Sequence, residues 1–142
     1  MFWTGDNHDH DIYYFKPDAV KEHNLTLSEL FKEYFSDKGV PIYGAVGNHD
    51  LTLASVYNFR EPYWSTRVLE MADVWSNWMT PEATERFRKW GYFSMPLNLA
   101  KGKKAPKNAR VISLNTNAYE LVNFYTWGTR VDHSEQMAWF EN

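Results

Sequence analysis

"FWTGDNHDHD", residues 2–11, runs from an apolar start at Phe2 and Trp3 through Thr4 and Gly5 into a block that holds three aspartates and two histidines. A second stretch repeats the pattern: "PIYGAVGNHD", residues 41–50, carries a short apolar run into the turn Gly47-Asn48-His49-Asp50. Each reads as a buried strand whose carboxyl end opens into a polar loop. In α/β proteins ligands gather at such strand ends, where a rigid sheet holds converging loops.

Working outward, helices separate and follow these strands. Thr26 and Glu29 form a capping box, and Leu27, Leu30, Phe31, Tyr34 and Phe35 recur at helical spacing up to Gly39, which predicts a helix over that span. Ser65 to about Trp78 carries Val68, Met71, Ala72, Trp75 and Trp78 on one face, a stripe that reads as core packing. Thr80-Pro81-Glu82 predicts another helix to Trp90, ended by Gly91. Tyr92–Met95 and Arg110–Leu114 read as strands, with the lysine-rich stretch Lys101–Lys107 between them as a solvated loop, and Ser134, Gln136 and Met137 suggest a last helix. Strands alternate with helices, so the fold class is α/β.

Composition narrows the function. With 142 residues, 44 % hydrophobic and 18 % aromatic, the chain can bury a core and is not disordered. A formal charge of −3 offers no basic field for a nucleic-acid polymer. No apolar run is long enough to cross a bilayer, and no targeting signal is visible. Cysteine is absent, so a metal would be held by imidazole, carboxylate or amide. Asn24-Leu25-Thr26 fits a glycosylation sequon, which matters only in a secreted protein.

The two polar turns admit two readings. Gly5-Asp6 and Gly47-Asn48 are ordinary turn dipeptides, and His8 and His10 fit solvated loop residues. Alternatively, adjacent pairing of the two strands would bring Asp6 and Asn48 together with His10 and His49 as half of a metal site. A carboxylate can bridge two cations about 3.5–4 Å apart that activate water and stabilise a transferring phosphoryl group.

"GDNHDHD" (Gly5 to Asp11) resembles the GD-x-x-x-HD motif, and "GNHD" (Gly47 to Asp50) the GNH-[DE] motif, of calcineurin-like metallophosphoesterases. "WTGD", "VISLNTNAY" (Val111 to Tyr119), "DHSEQMAWFEN" (Asp132 to Asn142) and "VWSNWMTPEATERFRKWGYFS" (Val74 to Ser94) resemble the acid sphingomyelinase-like phosphodiesterase branch. The resemblance implies a four-layer α/β/β/α sandwich and a two-metal phosphodiester hydrolase, with zinc as the usual metal. It assigns Asp6 as the bridging carboxylate and Asn48 as an amide-oxygen ligand. His49 would contact the phosphate and His10 would protonate the leaving alcohol. His8 matches no position of the motif and rivals His10 only in a shifted register. Asp11 and Asp50 would orient the histidines, and Asn115 and Asn117 would serve structure or support the site. Substrates would be small-molecule or lipid phosphodiesters, sphingomyelin or nucleotide-type, or phosphoanhydrides, and the compartment secreted or lysosomal.

The same pattern has a ligand motif upstream of Phe2 and a GH-x-H motif beyond Asn142. Residues 1–142 are therefore expected to be a partial catalytic domain lacking both, inactive alone and with the aromatic faces of Leu27–Phe35 and Val68–Trp78 uncovered. Asn7 and the lysine loop favour an endopolyphosphatase-like hydrolase as the alternative. A non-catalytic truncated product or pseudoenzyme is the other.

Overall fold

Phe2 and Trp3 form β1 (Phe2–Trp3), which pairs in parallel with β2 (Tyr43–Gly44) in the register Phe2↔Tyr43, Trp3↔Gly44. The expected adjacent pairing is thus present, and both polar turns leave the same end of this sheet. The structure is a computed structural model and describes every residue except Phe15, Thr52, Glu61, Pro62, Trp64, Thr129 and Arg130.

The crossover between the two strands is α1 (Pro17–Tyr34). It begins at Pro17, well before the predicted Thr26, because proline at the first helical position has its φ already set and Asp18 complements the helix dipole. Thr26 is therefore in mid-helix, and its pairing with Glu29 is not a cap. The early turns were hidden by their polarity, since Asp18, Lys21, Glu22 and His23 interrupt the apolar period around the buried Val20. Downstream, Gly39 closes a 3-10 turn (Ser36–Lys38) with φ 76°, the left-handed stop that the sequence predicts.

The next two helices follow their sequence signals closely. Ser65 Oγ accepts from the amide of Val68 at the start of α2 (Thr66–Trp75), and Thr80 Oγ1 accepts from that of Ala83 at the start of α3 (Pro81–Trp90). Gly91 ends α3 at φ 78°. An antiparallel pair follows, β3 (Phe93–Pro96) with β4 (Arg110–Ser113), before α4 (Gln136–Phe140). Among the described residues the four strands make two separate two-stranded sheets, joined where Ser113 Oγ donates to the Gly44 carbonyl at 2.8 Å. This is a mixed arrangement of helices and small sheets within the α/β class.

Trp75 is the centre of the core. Its indole meets Trp3 of β1 at a ring-centroid distance of 5.0 Å and Phe87 of α3 at 4.8 Å, and its Nε1 donates to Ser28 Oγ of α1 at 3.2 Å. Gly44 is obligatory beneath it, because a Cβ there would lie 2.7 Å from the indole ring. The apolar face of α2 is consequently buried, as the core-packing reading of this stripe expects, and is not left uncovered: Val68, Met71, Ala72 and Trp75 are all within the core. On α1 the expectation holds in part, with Phe31 edge-on to Trp3 at 4.6 Å while Leu30 and Tyr34 are exposed. Replacing Trp75 by alanine is predicted to cost about 3–5 kcal/mol, whereas alanine at exposed Leu121 should cost under about 0.5 kcal/mol. Urea denaturation of the protein carrying each variant measures both.

Candidate functional site

Beyond β1 the backbone turns left-handed twice, at Gly5 (φ 76°) and Asp6 (φ 58°). Aspartate tolerates this conformation better than most residues, and the paired turn aims the Asp6 carboxylate at the second loop. Gly47 lies directly against it. A Cβ on Gly47 would come 2.1 Å from Asp6 Oδ1, and one on Gly5 would come 2.1 Å from the Gly47 nitrogen, so only two glycines allow the loops to meet.

Asp50 locks that meeting. Its carboxylate, wholly buried, accepts backbone N–H bonds from Asn7 (2.8 Å), Gly47 (2.7 Å) and Asp6 (3.2 Å), gathering amides from both loops onto one group. Burial raises its pKa above the usual carboxylate value, partly offset by these three donors. Asp50 therefore organises backbone, and the expected role of orienting a histidine is corrected. Asp11 is exposed in the 3-10 turn His10–Tyr14, its amide held by Asp9 Oδ1 at 2.9 Å.

The histidines divide by burial. His10 is exposed and His49 nearly buried, yet their rings meet edge to face at 5.0 Å. His49 is held twice: its backbone amide donates to Asp6 Oδ1 (3.1 Å), and its Nδ1 donates to the His8 carbonyl (3.0 Å). A carbonyl can only accept, so Nδ1 carries a proton and Nε2 takes no part in this bond. Thus Asp6, His10 and His49 are brought together. Asn48 is carried on the same turn, with its amide nitrogen donating to Ser55 Oγ at 3.0 Å, which leaves its oxygen uncommitted to that bond.

His8, the residue outside the motif, is buried rather than solvated. Its Nε2 donates to the Val20 carbonyl (3.3 Å), so in the neutral ring Nδ1 accepts from His23 Nδ1 at 3.2 Å across a stacked pair. Burial lowers the His8 pKa, outweighing the hydrogen bond to the Val20 carbonyl. Asn7 and Asn24 complete the bracket. Asn7 accepts from Trp3 Nε1 (3.0 Å) and donates to Asn24 Oδ1 (2.8 Å), while Asn24 donates to the Asp50 carbonyl (2.9 Å). With Asn24 3 % exposed and its amide engaged at both ends, a glycan there is incompatible with this fold.

Sequence reasoning missed Tyr57, which carries no motif signal. Its hydroxyl donates to the Gly47 carbonyl at 2.5 Å from a fully buried ring. The lysine loop is remote from these groups. The Lys101 amide donates to the Gly39 carbonyl and Asn98 pairs with the Tyr43 hydroxyl, so the loop is tied to the end of β2 away from Gly47.

Among the described residues no group of three or more His, Asp or Glu side chains converges as a metal site. What the two adjoining turns do carry is one carboxylate, Asp6, and one amide, Asn48, on either side of the His49 amide contact. That chemistry fits a divalent cation held in part by these residues. A pH dependence follows from His8. Because its pKa is lower folded than unfolded, its contribution is intact above about 6.5 and is lost as pH falls below that value towards the folded pKa. Melting temperature should therefore drop between neutral and mildly acid pH, and His8→Gln should flatten that drop.

No family model matches the chain. Individual relatives do. It is 28 % identical to sphingomyelin phosphodiesterase 2 of Caenorhabditis elegans over 96 % of this chain and 21 % of the relative. It is 29 % identical to the cyclic GMP-AMP phosphodiesterase SMPDL3A of Bos taurus, over 100 % of this chain and 29 % of the relative. A human acid sphingomyelinase-like phosphodiesterase 3b is 29 % identical, again over 100 % of this chain and 29 % of the relative. The chain thus spans between a fifth and a third of the length of these proteins. No helix among the described residues is long and apolar enough to cross a membrane. Over nearly its whole length, then, this chain is similar to the sphingomyelin phosphodiesterases and their acid sphingomyelinase-like relatives.

Proposed function

We propose that this chain forms part of the catalytic domain of a metal-dependent phosphodiester hydrolase, built as the four-layer α/β/β/α sandwich that its motifs resemble. The observation that supports this best is the junction of the two turns, which sets Asp6, His10 and His49 side by side with Asn48 on the same turn as His49. The phosphodiesterase names of its relatives agree with that chemistry.

Asp6 and Asn48 would supply part of the oxygen ligation of two divalent ions. Zinc, the metal that the resemblance implies, would supply a Lewis acid for the phosphoryl oxygens and acidify water. His49, its Nδ1–H held by the His8 carbonyl, would stabilise the developing charge as the imidazolium, whose Nε2–H donates to a phosphoryl oxygen. His10, solvent-facing beside it, protonates the leaving oxygen. Substrates are small or lipid phosphodiesters, and a secreted or lysosomal address goes with this reading. A polyphosphate hydrolase is the weaker alternative, because Asn7 is engaged inside the fold and the lysine loop is tied to the far end of β2.

The test uses the intact protein that carries this chain, with a nitrophenyl phosphodiester and zinc. Asp6→Ala and His49→Ala should each lower kcat/KM by about a hundredfold or more, and a chelator should abolish turnover that zinc restores. His10→Gln should slow a poor alkyl leaving group far more than nitrophenolate. Full activity in Asp6→Ala, or no activity in the unaltered protein, contradicts the assignment.

A further inference from the structure

We propose that Tyr57 is a positioning residue for this site, holding the Gly47–Asp50 turn in the geometry that presents Asn48 and His49. The inference rests on the hydrolase reading above and adds to it a residue outside both motifs.

Tyr57 is braced at both ends. Its hydroxyl donates to the Gly47 carbonyl (2.5 Å), and its backbone amide donates to Asn123 Oδ1 (3.1 Å). The ring is fully buried and stacks on Phe59 at 5.7 Å with 6° between the planes, so it has little freedom to follow the turn if the turn moves. Asn123, equally buried, donates from Nδ2 to the Asn117 carbonyl at 3.0 Å. Tyr57 is therefore a strut between the turn after β2 and the Asn115–Asn123 segment after β4.

Its placement matters because Gly47 has no side chain to hold it. The Gly47 N–H is fixed by Asp50 and its carbonyl by Tyr57, so the peptide planes on both sides of this residue are set by buried polar groups. The carbonyl belongs to the peptide linking Gly47 to Asn48. Releasing it lets that peptide rotate, which displaces the Asn48 amide and then His49. A shift of about 1 Å at reacting groups can cost as much as a hundredfold in rate. Phenylalanine at this position keeps the ring and removes the hydroxyl that holds the Gly47 carbonyl.

The experiment compares Tyr57→Phe, Tyr57→Leu and Asp6→Ala in the intact protein, assayed with saturating zinc below every variant's melting temperature. Tyr57→Phe should lower kcat by about ten- to a hundredfold with KM within about twofold of the unaltered enzyme. Tyr57→Leu, which also empties ring volume, should additionally lower the melting temperature. A Tyr57→Phe enzyme that melts earlier but keeps its kcat overturns the proposal and leaves Tyr57 a packing residue. If Asp6→Ala is inactive while Tyr57→Phe is fully active, the positioning role alone fails. If Asp6→Ala is fully active, the hydrolase reading fails with it.

Discussion

One buried carboxylate accepts backbone N–H bonds from chain segments more than forty residues apart, and the candidate site depends on it. Asp50 could not be replaced by a neutral amide without facing a donor with a donor, since each of its two oxygens accepts from a backbone N–H. Removing a charged ion from water is costly unless its lone pairs are taken up, and here three donors do so. Once the loops are clamped, Asp6 accepts from the His49 amide and His49 Nδ1 donates to the His8 carbonyl. The site geometry is thus a consequence of backbone closure rather than of side chains finding one another.

Closure in turn needs the core below it. Gly44 lies flat under the Trp75 indole, and Gly5 and Gly47 press together with no room for a Cβ on either. The sheet of β1 and β2 is only two residues deep on each strand, so its register is fixed by these close approaches and by Trp3 packing on Trp75 and Phe31. The polar turns at the end of so short a sheet rest on a buried core of aromatic and aliphatic side chains.

Much of this was legible in the sequence, and the reasons are physical. Ser65, Thr80, Gly39 and Gly91 act locally, each satisfying or ending a helix within its own turn, so their signals survive in one dimension. The pairing of the two polar turns was legible because both follow apolar strands. The start of α1 was not, since its first turns are polar outside Val20 and a capping box at Thr26 imitated a beginning. The roles of His8, Asp50 and Tyr57 were invisible because each is defined by a partner brought close only by folding: Val20, the three amides, and the Gly47 carbonyl. Burial reversed the reading of His8 from solvated loop residue to internal bracket.

Amide hydrogen exchange at Asn7 and Gly47 tests the clamp most directly. Both N–H groups are in loops that sequence would class as solvent-exposed, yet both end on the buried Asp50 carboxylate. If the clamp organises the site, these amides exchange only with an opening about as costly as that of the core amides in α2. Exchange at the rate of a free loop, with α2 still protected, would contradict the account.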